Sequence, residues 1–190
     1  MNTLAKTFRF FLVLTFLVGV VYPLAVTTIA QVFFHSQAEG SQLVVNGKLL
    51  GSALLSQKTG SPKYFWPRPS AGDYATVASG ASNLGPTSEA LKEAITDRVA
   101  KLRTACHVSA ETPLPDDMVT TSGSGVDPHI TPAAARLQID RIAAARNLTS
   151  AQKEQLAALV TQFTEGPQLG FLGEPRVNVL LINVALDELR

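Results

Sequence analysis

The run Ser122-Gly123-Ser124-Gly125-Val126-Asp127-Pro128-His129 holds the residue types of a hydrolase triad. A hydroxyl nucleophile needs a histidine to take its proton and an acid to orient that histidine. The spacing does not supply a nucleophile elbow, because G-x-S-x-G would require glycine where Ser122 stands. Asp127-Pro128 is a strong turn starter, and His129 directly after it suits packing or capping of that loop. A membrane-anchored extracytoplasmic hydrolase using Ser124 and His129, or an anchored binding module, is therefore the alternative, not the leading reading. The same glycines invite a phosphate cradle, but both G-x-x-x-x-G-K-[ST] and G-x-G-x-x-G are absent. His35, His107 and His129 are too scattered for metal-ligand spacing. Cys106 and His107 are neighbours, and neighbours on a helix face different ways. Cys106 is the only cysteine, so it reads as a small, partly buried side chain without an intrachain disulfide partner. Glu174-Pro175-Arg176 offers a carboxylate and a guanidinium, either for each other or for a partner. A pair between them on the surface is worth under about 1 kcal/mol. No residue earns a catalytic, metal-binding or cofactor-binding assignment by motif.

The elements that position these residues divide into an anchor and a domain. No charged residue occurs from Phe10 to Phe34. As a helix at about 1.5 Å per residue, that stretch reaches roughly 37 Å, enough to cross a bilayer core of about 30 Å with some tilt. The sequence thus predicts residues 1–9 as a cytoplasmic start, 10–34 as one transmembrane helix and 35–190 as a domain. Pro23 removes a backbone donor near the middle and predicts a kink there. Thr15, Thr27, Thr28 and Gln31 are available to satisfy freed backbone groups or to face a neighbouring helix. Lys6 and Arg9 precede the span, whereas the next Lys or Arg after it is Lys48. The positive-inside rule then puts the domain outside the cytoplasm. A cleaved secretory signal shares the basic start, with Thr28-Ile29-Ala30 as a tolerable cleavage site. Its apolar core is usually only about 7–15 residues, so a retained anchor is the expectation. Fourteen basic and fifteen acidic residues follow position 35, a formal charge of −1. That balance argues against nucleic acid as a partner.

Within the domain, Gln42 to Leu50 reads as a hairpin about Asn46-Gly47. The aromatic cluster Tyr64-Phe65-Trp66 is stopped by Pro67-Arg68-Pro69, and residues 67–86 read as irregular loop. A helix is predicted from about Thr87, with Leu91, Ile95, Val99 and Leu102 as its stripe. Glu89 and Glu93 near its start and Lys101 and Arg103 near its end suit the macrodipole. Thr131 caps a helix opening on Pro132, with Ile139, Ile142 and Ala143 inward and Asn147 as a left-handed stop. Thr149 and Gln152 form a capping box for a further helix, with Leu156, Leu159, Val160 and Phe163 inward. Val177 to Val184 reads as a strand buried on both faces. The expected class is α+β: one N-terminal transmembrane helix and a small mixed α/β extracytoplasmic domain.

Several segments together carry a resemblance. They are Tyr22-Pro23-Leu24, Tyr64-Phe65-Trp66-Pro67-Arg68-Pro69-Ser70, Ala78-Ser79-Gly80-Ala81-Ser82-Asn83-Leu84-Gly85-Pro86, Ser122 through Ile130, and Gly170-Phe171-Leu172-Gly173-Glu174-Pro175-Arg176-Val177-Asn178-Val179. The chain resembles the KdpC family, the C subunits of bacterial potassium-transporting Kdp ATPases, almost end to end. Glycine is usual in that family where Pro67 and Ala81 stand here. The resemblance implies an accessory, non-catalytic subunit of an ATP-driven, high-affinity potassium uptake complex in the bacterial inner membrane. It implies three partners: a channel-like potassium-binding subunit, a P-type ATPase catalytic subunit and a small stabilising subunit. ATP and potassium are met through the complex, and a role as catalytic chaperone raising the pump subunit's ATP affinity follows from the same likeness. Gln57-Lys58-Thr59-Gly60 agrees with a non-catalytic role. A P-type pump phosphorylates an aspartate before that Lys-Thr-Gly step, and an amide cannot replace it. Charge asymmetry puts the domain across the membrane from a cytoplasmic ATP site, so an effect on ATP affinity has to be transmitted. The expected arrangement has the span docked on the channel-like subunit and the domain over the external potassium entrance. The candidate partner contacts are Pro23, Thr27, Thr28, Gln31, Arg68, Asn83, Asp127, His129, Glu174 and Arg176.

Overall fold

The structure, a computed structural model, describes residues 2–189 and divides after Ser52 into two units. The first opens with one continuous helical stretch, Thr3–Phe33, long and apolar enough to cross a membrane. It comprises α1 (Thr3–Phe16), a π-helical turn (Leu17–Val21) and α2 (Tyr22–Phe33). Pro23 lies in the first turn of α2, and the N–H of Tyr22 reaches back to the carbonyl of Leu17. Proline brings no N–H and its ring crowds the preceding turn. Here the helix accommodates it by widening into an i→i+5 turn. Thr28 Oγ1 donates to Leu24 O at 2.8 Å, so its hydroxyl is spent on its own helix. After α3 (His35–Ala38) comes the expected hairpin, β1 (Gln42–Val45) and β2 (Lys48–Ser52), paired antiparallel. Asn46 and Gly47 turn it with φ of 51° and 75°, the left-handed pair that a two-residue loop demands.

The second unit carries the core. Helix α4 (Glu89–Cys106) ends on His107 in the left-handed region. A short 3₁₀ turn (Asp116–Met118) and the glycine-containing loop then lead to β3 (His129–Ile130). Helices α5 (Pro132–Leu137), α6 (Ile139–Arg146) and α7 (Ser150–Gln162) follow, then β4 (Thr164–Glu165), β5 (Arg176–Asn178) and α8 (Val179–Glu188). The three strands form an antiparallel sheet in the order β3-β5-β4. Phe65, Leu102, Ile130, Ile142, Leu156, Val160, Val177, Ile182 and Leu186 fill one core. Thr131 caps α5 by accepting from Ala134 N–H, Asn147 takes φ 55°, and Thr149 with Gln152 closes the capping box, as their spacing predicted.

Two expectations are corrected. Val177–Val184 is not a strand: pairing stops at Asn178 and a helix begins. Asn178 Oδ1 accepts from the N–H groups of Leu180 and Leu181, an N-cap inside an apolar run. Val179, Ile182 and Leu186 then bury at helical spacing. The helix opened by Pro132 is also interrupted at Gln138, whose N–H bonds Ala135 O in a tighter turn while its side-chain Nε2 takes the Ala134 carbonyl.

Candidate functional site

The site is built on a segment without regular structure. Tyr64, Phe65 and Trp66 lie between two side-chain amides. Phe65 N–H donates to Asn183 Oδ1 at 2.8 Å and Asn183 Nδ2 donates to Phe65 O at 3.0 Å. Trp66 N–H donates to Gln138 Oε1 at 2.7 Å and Gln138 Nε2 donates to Trp66 O at 3.2 Å. Two amides thus satisfy two successive peptide groups as neighbouring strands would. Arg141 lies 3.9 Å over the Trp66 ring and donates to the carbonyls of Pro62 and Tyr64. It is buried with no ion pair to a carboxylate among the described residues, and burial lowers its pKa from the usual arginine range. Carbonyl dipoles, the Gln138 oxygen, the Cys106 sulfur and the indole face compensate its charge. Arg146 repeats the arrangement over Tyr64 at 4.8 Å and pairs with Asp187 at 2.7 Å.

This clamp delivers Arg68 to a cleft of about 290 Å³. Arg68, Asp127, His129, Glu174 and Arg176, five of the residues singled out by sequence, line it together with Asp117 and Thr131. Arg68 Nη1 reaches Asp127 Oδ2 at 3.2 Å, and Nη2 donates to Thr121 O at 3.4 Å. Asp127 Oδ1 accepts from His129 N–H at 3.0 Å, with His129 Nδ1 at 3.6 Å. Burial pushes the Asp127 carboxyl up, but the His129 ring, the His129 N–H and the Arg68 charge together hold it below the usual aspartate range. Asp117 accepts from Thr131 N–H at 2.6 Å and from Thr131 Oγ1 at 3.2 Å, which ties the cleft wall to the cap of α5. Arg176 pairs with Glu165 at 3.0 Å, not with Glu174, because their strands face each other.

The loop that suggested a hydrolase is spent on itself. Ser122 Oγ accepts from Gly125 N–H and Ser124 Oγ from Val126 N–H, and no hydrogen bond joins either hydroxyl to His129 among the described residues. Gly125 has φ 70°, and a Cβ there would lie 2.9 Å from Gly80 O, so this glycine serves close backbone approach. No cluster of three metal-ligating side chains occurs among the described residues. Cys106 is buried and burial raises its thiol pKa, which keeps it protonated and inert near neutrality.

Asn83 stands apart from the cleft in the irregular 67–86 segment, with φ 54°. Pro23, Thr27, Thr28 and Gln31 belong to the anchor unit. Gln31 is already engaged there, donating to Glu39 at 3.0 Å and lying 3.0 Å from His35 Nδ1. Sequence reasoning missed Asp117, Gln138, Arg141 and Asn183. Asn183 did leave a trace, an amide inside the apolar run Val179–Leu186; Gln138, in Arg136-Leu137-Gln138-Ile139-Asp140, and Asp117 left none.

The cleft wall thus carries two arginines and three carboxylates, with Arg68 paired to Asp127 and Arg176 to Glu165. Comparison with known proteins decides the family. The profile described as "KdpC: K+-transporting ATPase, c chain" matches residues 4–188. The chain belongs to the KdpC family. It is 52% identical over 182 residues to the "Potassium-transporting ATPase KdpC subunit" of Methylococcus capsulatus, covering 94% of each chain. Identity to the protein of that name from Sorangium cellulosum is also 52%, again with 94% of each chain covered. The Paraburkholderia phytofirmans protein is 48% identical over 183 residues, covering 95% of this chain and 93% of its own. The match therefore includes both the apolar helix and the clamped cleft of this KdpC-family chain.

Proposed function

We propose that this chain is the accessory C subunit of an ATP-driven potassium uptake complex and is itself non-catalytic. The family match over residues 4–188 carries the reading. It assembles with a channel-like potassium-binding subunit, a P-type ATPase subunit and a small stabilising subunit. The Thr3–Phe33 helix, with none of its most apolar stretch buried, anchors it in the inner membrane and docks on the channel-like subunit. Lys6 and Arg9 favour a cytoplasmic start, with the domain from Ala53 outside, covering the potassium entrance. The arginine–carboxylate contacts of the cleft suit directional contact with a protein surface, and no hydrogen bond joins His129 to a hydroxyl among the described residues.

On this reading any gain in the pump subunit's ATP affinity is a linkage effect. The domain has to bind two states of the complex unequally, and the coupling equals that difference. Fusions to a phosphatase that is active only outside the cytoplasm test the arrangement. Activity at the C-terminus and none at the N-terminus is expected. An inactive C-terminal phosphatase fusion with a fluorescent C-terminal fusion would reverse the topology and remove the entrance-covering role.

A further inference from the structure

β4 and β5 are joined through residues 166–175, and this connection is an ordered finger. Gln168 and Leu172 exchange both backbone hydrogen bonds, at 2.8 and 2.9 Å. Gly170 N–H donates to Pro167 O and Phe171 N–H to Gln168 O, which closes the turn. Leu169 takes φ 54° within that turn, a left-handed conformation uncommon for a leucine. This fixed tip presents apolar side chains outward: Leu169 is 83% exposed, Phe171 74% and Leu172 50%. The Arg176–Glu165 ion pair neutralises the base of the finger, and residues 166–173 carry no charge.

We infer that the β4–β5 finger is a docking wedge that seats Leu169 and Phe171 in an apolar socket with a basic rim on a partner subunit. The inference rests on the subunit reading above and names one surface that makes it. Charge decides between a protein socket and a lipid surface. Loops that insert into anionic bilayers carry basic neighbours. Along the finger itself no Lys or Arg occurs between Lys153 and Arg176, and the exposed Glu174 beside the tip, on the cleft wall it shares with Arg68 and Arg176, has no ion pair among the described residues. A bilayer rewards apolar area without regard to shape, whereas a socket rewards a wedge whose shape is fixed before binding. The backbone bonds that close the turn supply that shape.

Photocrosslinking from position 171 tests it. Phe171 is replaced by a benzophenone amino acid in the full-length chain, expressed with its complex in native membranes. A covalent adduct with another protein subunit is expected, and none from the same probe at the exposed Glu154 of α7. Leu169→Ser with Phe171→Ser should lower the amount of chain retained by the detergent-solubilised complex at least about tenfold, as loss of a buried interface anchor does. The melting temperature of the domain should hold within a few degrees. Glu174→Lys should weaken retention further. Adducts with lipid alone, or no adduct in a chain that still copurifies with its subunits, overturn the wedge. So does full retention of the double-serine variant. A chain that copurifies with no subunit overturns the subunit reading and, with it, this inference.

Discussion

Replacing Gln138 with leucine removes one side chain that serves both polar groups of Trp66. The N–H of Trp66 loses its acceptor at 2.7 Å and its carbonyl loses a donor at 3.2 Å. Arg141 Nη2 also loses an acceptor at 2.6 Å. An orphaned buried polar group costs about 1–3 kcal/mol, and leucine's own burial returns part of that. The net loss is about 2–4 kcal/mol. The unit from Ala53 onward unfolds with an entropy of about 0.3 kcal/mol/K by its length, so the melting temperature falls by about 7–13 °C. Gln138→Glu is the control. It retains an acceptor for Trp66 N–H and gains an ion pair with Arg141, while losing the donor to Trp66 O. Its loss should be less than half that of leucine at neutral pH. Thermal denaturation of the detergent-purified chain, followed by circular dichroism, measures both variants. A shift below about 3 °C for leucine, or an equal loss for glutamate, would refute the idea that this amide stands in for a strand.

Three further outcomes follow from the same contacts. Asp127 is held below its ordinary pKa, so its contribution to stability is complete above about pH 4, the unfolded value, and is lost as pH falls through the lower folded value; Asp127→Asn should flatten that acid limb in denaturant titrations and leave the slope near neutrality unchanged. Cys106 should resist a maleimide reagent in the folded chain and react fully once denaturant unfolds it, with labelling that tracks the unfolding curve. Gly125→Ala sets a Cβ against the Gly80 carbonyl at positive φ, so it should cost more than about 1 kcal/mol, read as a lower denaturant midpoint at unchanged slope.

The sequence exposed whatever depends on local chemistry. The uninterrupted apolar run marked the helix, Asn46-Gly47 marked the hairpin turn, and Thr131, Asn147, Thr149 and Gln152 marked helix ends through the backbone groups they satisfy. It misled at Val177–Val184, where an apolar run of that length fits a buried strand or a helix equally. Only the capping role of Asn178 separates the two, and an asparagine is a cap only if the chain turns there. The cleft was legible in part. Arg68, Asp127, His129, Glu174 and Arg176 were singled out from segments far apart in the chain, but nothing local pairs Arg68 with Asp127 or turns Arg176 toward Glu165. The first pairing depends on long-range packing, with Gln138 and Asn183 holding the Phe65-Trp66 backbone just before Arg68, and the second on the β4–β5 register.

The most direct test of the account is purification of the affinity-tagged full-length chain from its native membrane, followed by ATPase assays with and without potassium. Co-purification with a P-type ATPase subunit and a channel-like subunit is expected, with potassium-stimulated hydrolysis by the assembly and none by the isolated chain. A chain purified without partners, or an isolated chain that hydrolyses ATP, would contradict it.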